Sequence, residues 1–208
     1  MDRERHKGNE YEFYAVLIPA RTEIMVFENW PPQSRGYFGI GAERISKSLN
    51  LGNLMRSAHG FGASFTFTVG ATYQALEAQA DTSKGTLHLP HYNWKTLNEL
   101  ALPSGCRLVG IELLDQAVDL PSFRHPIKAA YVLGPERGSL SEELIEKCDY
   151  TIRIPTKFCV NVAMAGAIVM YDRIKSMSRF AERSVREGAP DEKLKRHHHG
   201  QRFIRSTG

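Results

Sequence analysis

With 208 residues, 42% of them hydrophobic and 24% charged, the chain has the make-up of a globular protein with one core and extensions at its ends. No run approaches the roughly 18 apolar residues that span a bilayer, and the charged opening Met-Asp-Arg-Glu-Arg-His-Lys does not read as a signal peptide, so no membrane partner and a cytoplasmic location are expected. A net charge of +4 permits a phosphate-rich partner without requiring one, while Cys106, Cys148 and Cys159 are too few and too widely spaced for a disulfide framework or a CxxC metal site.

The polar residues 1–10 are expected to lack order, 11–19 have the pattern of a strand, and 28–36 are rich in turn formers. Residues 1–35 are therefore taken as an N-terminal extension. From Gly36 the pattern becomes strand and helix in alternation. A strand is expected over 37–42, then a helix over 52–61 with Leu54, Met55, Ala58 and Phe61 on one side, then a strand over 63–69. A polar loop containing Asp-Thr-Ser-Lys-Gly85 leads to a short helix near 94–101. The apolar runs 107–113 and 128–134 read as buried parallel strands. One or two helical turns over 141–147, a strand over 150–154 and a long helix over 161–180 complete a domain at 36–182. Alternation of this kind implies a parallel-sheet α/β fold with both faces covered. From Glu187 periodicity gives way to Gly, Pro and charge, and 183–208 reads as a basic C-terminal tail.

Three segments at element boundaries carry chemistry. In Asn50-Leu-Gly-Asn-Leu-Met-Arg-Ser-Ala, Asn50 or Asn53 is expected to cap the following helix, with Gly52 easing the turn. Amides at a helix start favour anions, and Arg56 lies one turn inside, where a nucleic-acid phosphate would fit. In Leu133-Gly-Pro-Glu-Arg-Gly-Ser-Leu-Ser141, a strand stops at Gly134-Pro135 and places Glu136 beyond its carboxyl end, where open α/β sheets bind ligands. The last serines can cap the next helix. In Ile154-Pro-Thr-Lys-Phe-Cys-Val-Asn-Val-Ala163, a strand stops at Pro155 ahead of a helix that is small and apolar on most sides. Such a helix must be buried against the sheet or a second subunit.

Together and in this order, these segments resemble the three motifs of the SpoU/TrmH branch of the SPOUT RNA ribose methyltransferases, over about residues 36–180. The resemblance implies an α/β fold whose C-terminal part threads a deep trefoil knot, S-adenosylmethionine as cofactor, a homodimer, and a 2′-O-methylated ribose in tRNA or rRNA as product. It assigns catalysis to Arg56 with Asn53 beside it, to Glu136 and to Asn161. It assigns the cofactor pocket to Ile111, Glu112, Leu133, Gly134, Pro135, Ile154, Cys159, Val160 and Asn161. Cys159 stands where such proteins usually carry Ser, and Gly138-Ser139 reverses the usual order.

Methyl transfer from a sulfonium requires an oxygen nucleophile in line with the S–CH₃ bond, so positioning supplies much of the rate. The resemblance makes Arg56 the usual candidate base; a free guanidinium is a poor base, a grip on the phosphate beside the target ribose suits Arg56 better, and Glu136 or solvent is the alternative acceptor of the proton. The alternative reading is a non-catalytic RNA-binding or assembly factor of the same fold. Gly39-Ile-Gly41 lacks the third glycine and the following helix of a dinucleotide fingerprint. The histidines in Lys195-Arg-His-His-His-Gly-Gln-Arg202 lack carboxylate or thiol partners. An RNA-contacting arm is expected there rather than a metal site, and DNA is not expected as a partner.

Overall fold

The computed structural model describes residues 15–16, 25–26, 36–72, 89–181 and 183–188. Of the strand expected over 11–19, Ala15–Val16 (β1) is described, paired antiparallel with Met25–Val26 (β2). The expectations for residues 1–10, for 28–35, for the loop at 81–85 and for the tail from 189 lie outside the described residues.

Seven parallel strands form the sheet: β3 (Tyr37–Glu43), β4 (Phe65–Val69), β5 (His91–Trp94), β6 (Arg107–Ile111), β7 (Val118–Asp119), β8 (Lys128–Leu133) and β9 (Tyr150–Arg153). Their order across the sheet is β5-β4-β3-β8-β6-β9-β7, and each pairing is parallel. Parallel pairing demands crossovers, and among the described residues three helices lie in them or after the last strand: α1 (Ser48–Gly60), α2 (Glu142–Lys147) and α3 (Val162–Met177).

The two faces divide along each strand with a period of two. On β8, Ala129, Tyr131 and Leu133 join the core beneath α1 and α3, whereas Ala130 and Val132 join the one beneath α2. On β3, Phe38, Ile40 and Ala42 face α1 and α3. Gly39 and Gly41 face the other way, where a Cβ would come within 2.3 Å of the Phe65 ring and within 2.2 Å of the Phe67 carbonyl. The Gly-Ile-Gly pair thus makes room for two aromatic side chains.

Three expectations are corrected. The helix near 94–101 is the end of β5 followed by a single 3-10 turn at Leu97–Glu99, and no apolar stripe there fits a helix. The strand expected from residue 63 starts at Phe65. The first-motif helix starts at Ser48 rather than at 52, so Asn50 and Gly52 lie inside it and both are buried. Neither asparagine caps it, and Lys47 at its N-cap contributes no side-chain bond.

At the carboxyl edge of the sheet Ile111, Ile152 and Val118 stand at one level. Residues 112–117 therefore arch from β6 to β7 across the end of β9, which lies between them. The arch is tied down by the Glu112 N–H to the Ile152 carbonyl (2.9 Å) and by Arg153 Nη1 to the Leu114 carbonyl (3.3 Å). The chain leaves β9 beside this arch and enters α3, whose Gly166 lets the helix close on the sheet. A Cβ there would fall 2.5 Å from Leu54 Cδ1.

At the opposite edge Arg173, fully buried on α3, donates to the carbonyls of Pro126, Ile127 and Tyr37 and to the Tyr131 hydroxyl. Its guanidinium also lies 5.3 Å from the Phe38 ring centre. One side chain thereby fastens α3 to the starts of β3 and β8.

Candidate active site

A cleft opens beyond the carboxyl ends of β6, β8 and β9, the place where ligands bind to open α/β sheets. Ile111, Glu112, Leu133, Gly134, Pro135, Ile154, Cys159 and Val160 all line it. Asn161 does not; it stands at the start of α3 next to the lining residue Val162. Leu113, Gly138, Arg153, Thr156 and Ala165 line it as well. Gly138 and Thr156 belong to the second and third motif segments, whereas Leu113, Arg153 and Ala165, from the arch, the end of β9 and one face of α3, carry no motif that marks them as site residues.

The loop after β8 is held by two carboxylates, one beyond the end of β6 and one at the end of β3, and by an arginine beside the second. Glu112 accepts the Leu140 N–H (2.8 Å) and the Leu113 N–H (2.9 Å). Buried Glu43 accepts the Ser141 N–H (2.8 Å) and hydroxyl, while Arg44 Nη2 donates to the Ser139 carbonyl (2.9 Å). Gly134 makes this closure possible, since a Cβ would sit 3.1 Å from the Leu140 nitrogen. Ser141 caps α2 through the Leu144 N–H, as its position before two glutamates suggested. Gly138 turns the loop with φ of +99°, a conformation that suits glycine.

Glu136 reaches out of the same loop to the start of α1. Its Oε2 accepts from the Ser46 N–H (3.0 Å) and hydroxyl (2.9 Å), and its Oε1 from the Lys47 N–H (3.0 Å) and Asn50 Nδ2 (3.1 Å). The second motif thus supplies the anion that α1 lacks at its own N-terminus. Burial works to raise the Glu136 pKa, but the hydrogen bonds from Ser46, its own N–H and Asn50 prevail and leave it below the ordinary carboxylate value. A carboxylate with four donors and a lowered pKa is poorly suited to accept a proton. Its geometry is that of a clamp.

Asn50 continues the chain of contacts. Its Oδ1 accepts from Asn161 Nδ2 (3.0 Å), and Asn161 Oδ1 in turn caps α3 through the Ala163 N–H (2.9 Å) and Met164 N–H (3.4 Å). One polar thread, Glu136–Asn50–Asn161, therefore joins the three motifs and both helix N-termini beside the cleft. Asn50 is the middle link, a place that its position in the sequence, suggestive of a helix cap, does not reveal. Asn53, named beside Arg56, lies on the exposed face of α1 instead.

Arg56 also lies on that exposed face, one turn beyond Asn53, and is not among the residues lining the cleft. Cys159 is exposed at the cleft. Among the described residues no group of three or more His, Cys, Asp or Glu side chains could hold a metal ion, and no helix is long and apolar enough to cross a membrane.

Comparisons with known proteins point in one direction. The sequence model of the SpoU rRNA Methylase family matches residues 38–171. A mouse protein, tRNA (guanosine(18)-2'-O)-methyltransferase TARBP1 of Mus musculus, is 30% identical over 148 residues, which are 64% of this chain and 9% of that protein. A putative TrmH family tRNA/rRNA methyltransferase of Staphylococcus epidermidis is 27% identical over 144 residues, 65% of this chain and 57% of the relative. Among solved structures, the SpoU methyltransferase AviRb of Streptomyces viridochromogenes in complex with AdoMet superposes with a TM-score of 0.60 at 23% identity, over 70% of this chain and 59% of that one. The AdoMet-bound rRNA methyltransferase of Sinorhizobium meliloti gives 0.60 at 24%, over 69% and 57%. At such identities these two speak for the fold. The chain spans less than two thirds of the length of each of these four proteins.

Proposed function

The chain belongs to the SpoU rRNA Methylase family, and on that footing we propose that it is an enzyme transferring a methyl group from S-adenosylmethionine to a ribose 2′-hydroxyl of tRNA or rRNA. The observation that carries this reading is the Glu136–Asn50–Asn161 thread, which draws the three motif segments around one cleft. The curated relatives support it by name, as tRNA or tRNA/rRNA methyltransferases.

The cleft fits the cofactor chemically. Ile111, Leu133, Ile154, Val160, Val162 and Ala165 offer apolar walls for an adenosyl group, and Gly134 and Gly138 bare the backbone for close approach. Glu112 places a carboxylate on a lining segment, suited to a cationic ligand. When bound, S-adenosylmethionine supplies an electrophilic methyl group on a sulfonium.

The chain's own residues then have distinct tasks. Glu112, Glu43 and Arg44 hold the loop after β8 in one shape, so the cofactor meets a preorganised wall. Glu136, Asn50 and Asn161 fix the N-termini of α1 and α3 relative to that wall. Arg56, on the exposed face of α1, grips the phosphate next to the target ribose and holds the hydroxyl for in-line attack. The hydroxyl proton passes to solvent or a substrate-side group, because Glu136 is committed to its four donors. Asn53 is an accessory on the same face. The arch over the end of β9 is, in this reading, the opening through which the C-terminal segment threads its knot.

The enzyme acts as a homodimer in this proposal. Leu49 on α1 and Met164 and Tyr171 on α3 leave 53%, 58% and 59% of their surfaces exposed on two helices packed together, apolar side chains that a second copy would cover. Titration calorimetry of the full chain with S-adenosylmethionine tests the site. Saturable one-to-one binding is expected, and absence of binding at millimolar cofactor would favour the non-catalytic alternative.

A further inference from the structure

Edge strand β5 carries an aromatic surface that the methyl-transfer site does not use. Tyr92 and Trp94, two residues apart on one side of the strand, stack with ring centres 5.8 Å apart and planes 9° from parallel. Behind them Phe65 meets Tyr92 edge-on at 6.0 Å and Phe67 backs Trp94 at 5.5 Å. Gly39 and Gly41 leave these two phenylalanines the space they occupy. His91 and Asn93 alternate with the pair and bond to Thr66 and Thr68. This layer backs the two rings, yet Tyr92 keeps 49% of its surface exposed. A tyrosine packed this firmly and still half open has a face for a planar partner.

Its place in the fold favours a nucleic-acid base as that partner. Trp94 stands level with Val69 and Glu43 at the carboxyl edge of the sheet, the edge on which the cleft opens. Three strand spacings, about 14 Å, separate β5 from β8, a reach of a few nucleotides. The rim between carries exposed Arg44, Lys47 and Lys95. Gly70 lies between Arg44 and Lys95, since a Cβ there would fall 3.5 Å from Arg44 Cγ and 3.8 Å from the Lys95 carbonyl. Among the described residues the acidic groups on this rim are Glu43, buried against Ser141, Glu99, which accepts the Lys95 N–H, and Glu136, which accepts from Ser46 and the Lys47 N–H. Cations alternating with a stacking surface suit an unpaired strand, whose bases stack on aromatic faces without sequence preference.

We propose that Tyr92 and Trp94 form a stacking platform for an unpaired nucleotide of the RNA substrate, flanking the one that enters the cleft. The inference rests on RNA being the substrate, and its test reads binding, not methylation.

Trp30 and Trp94 are the two tryptophans of the chain, so Trp30→Phe leaves Trp94 as the reporter. The full chain carrying this change is titrated with single-stranded eight-nucleotide oligo(rU) and oligo(rA), and with a blunt RNA duplex of equal length. Single strands should quench Trp94 emission and bind more tightly than the duplex. Tyr92→Ser should weaken their binding about fivefold or more, Tyr92→Phe should restore it, and neither should alter the salt dependence. Lys95→Ala should instead lower the salt slope by about one phosphate contact. Unchanged Trp94 emission, equal affinity of the Ser and Phe variants, or preference for the duplex would overturn the platform. So would emission that changes with protein concentration alone, since a second copy would then occupy the surface. Oligonucleotide binding with no methyl transfer to any RNA would sink the proposed activity and leave the platform standing.

Discussion

Asn50 shows how much of the site can hang on one amide. It is nine-tenths buried at 6% exposure, and it uses its nitrogen on Glu136 and its oxygen on Asn161. Asn50→Ala leaves the Asn161 amide without this acceptor and Glu136 short of a donor. A stability loss of about 1–3 kcal/mol by urea titration is expected, with weakened cofactor binding by calorimetry. Asn53→Ala, on the exposed face, should do neither, and equal behaviour of the two variants would dissolve the thread's role. Arg56 predicts the opposite pattern. Arg56→Ala should abolish methyl transfer and leave cofactor affinity unchanged, because Arg56 does not line the cleft; Arg56→Lys should fail largely too, having lost the planar fork. Lost cofactor binding in the Ala variant would make Arg56 structural. The residues that the sequence points to as a pocket line one cleft because they cluster at the ends of β6 and β8 and in the loops after β6, β8 and β9. The sequence could not tell Asn50 from Asn53, because both stand in one motif and only the start of α1 at Ser48 decides which is buried.

At the scale of elements, strands were legible wherever both faces are buried, because continuous apolar runs mark them. The edge escaped: His91–Trp94 mixes polar and aromatic residues, and its pairing with β4 is a long-range fact. That edge also sets a pH dependence. Burial lowers the His91 pKa to about 4, and His125, next to Asp172 and Tyr131, is lowered as well, chiefly by burial. At both positions burial favours the neutral imidazole in the folded chain. Below about pH 6.5 the unfolded chain takes up protons that the fold refuses, so stability should fall with falling pH down to about 4, by at most about 1.4 kcal/mol per unit for His91. The urea midpoint should therefore drop between pH 7.5 and 5, less steeply in His91→Gln. An identical slope in that variant would show that His91 does not contribute.

The whole molecule joins a parallel sheet, an arched connection and a late helix into one binding edge. Alternating strands and helices made the fold class legible, and three motifs in order made the family legible. The arch was not, for it depends on β7, a two-residue strand that adds itself outside β9. Subunit assembly belongs to this scale too. Light scattering at micromolar concentration should return twice the 23.4 kDa chain mass, and Tyr171→Glu on α3 should shift it toward the monomer. A stable wild-type monomer would mean that the exposed stripe of α1 and α3 serves another partner.

The central claim concerns which atom receives the methyl group, and RNA chemistry offers a direct reading. A 2′-O-methyl group removes the hydroxyl that alkali uses to cleave the adjacent phosphodiester. The chain is incubated with methyl-tritiated S-adenosylmethionine and bulk tRNA and rRNA, and the RNA is then hydrolysed in alkali and separated by size. Label in alkali-resistant dinucleotides is the expected result, absent when Arg56→Ala replaces the wild-type chain. Label confined to mononucleotides would place the methyl on a base, and no label in either RNA, with cofactor bound, would contradict the assignment of this chain as a ribose methyltransferase.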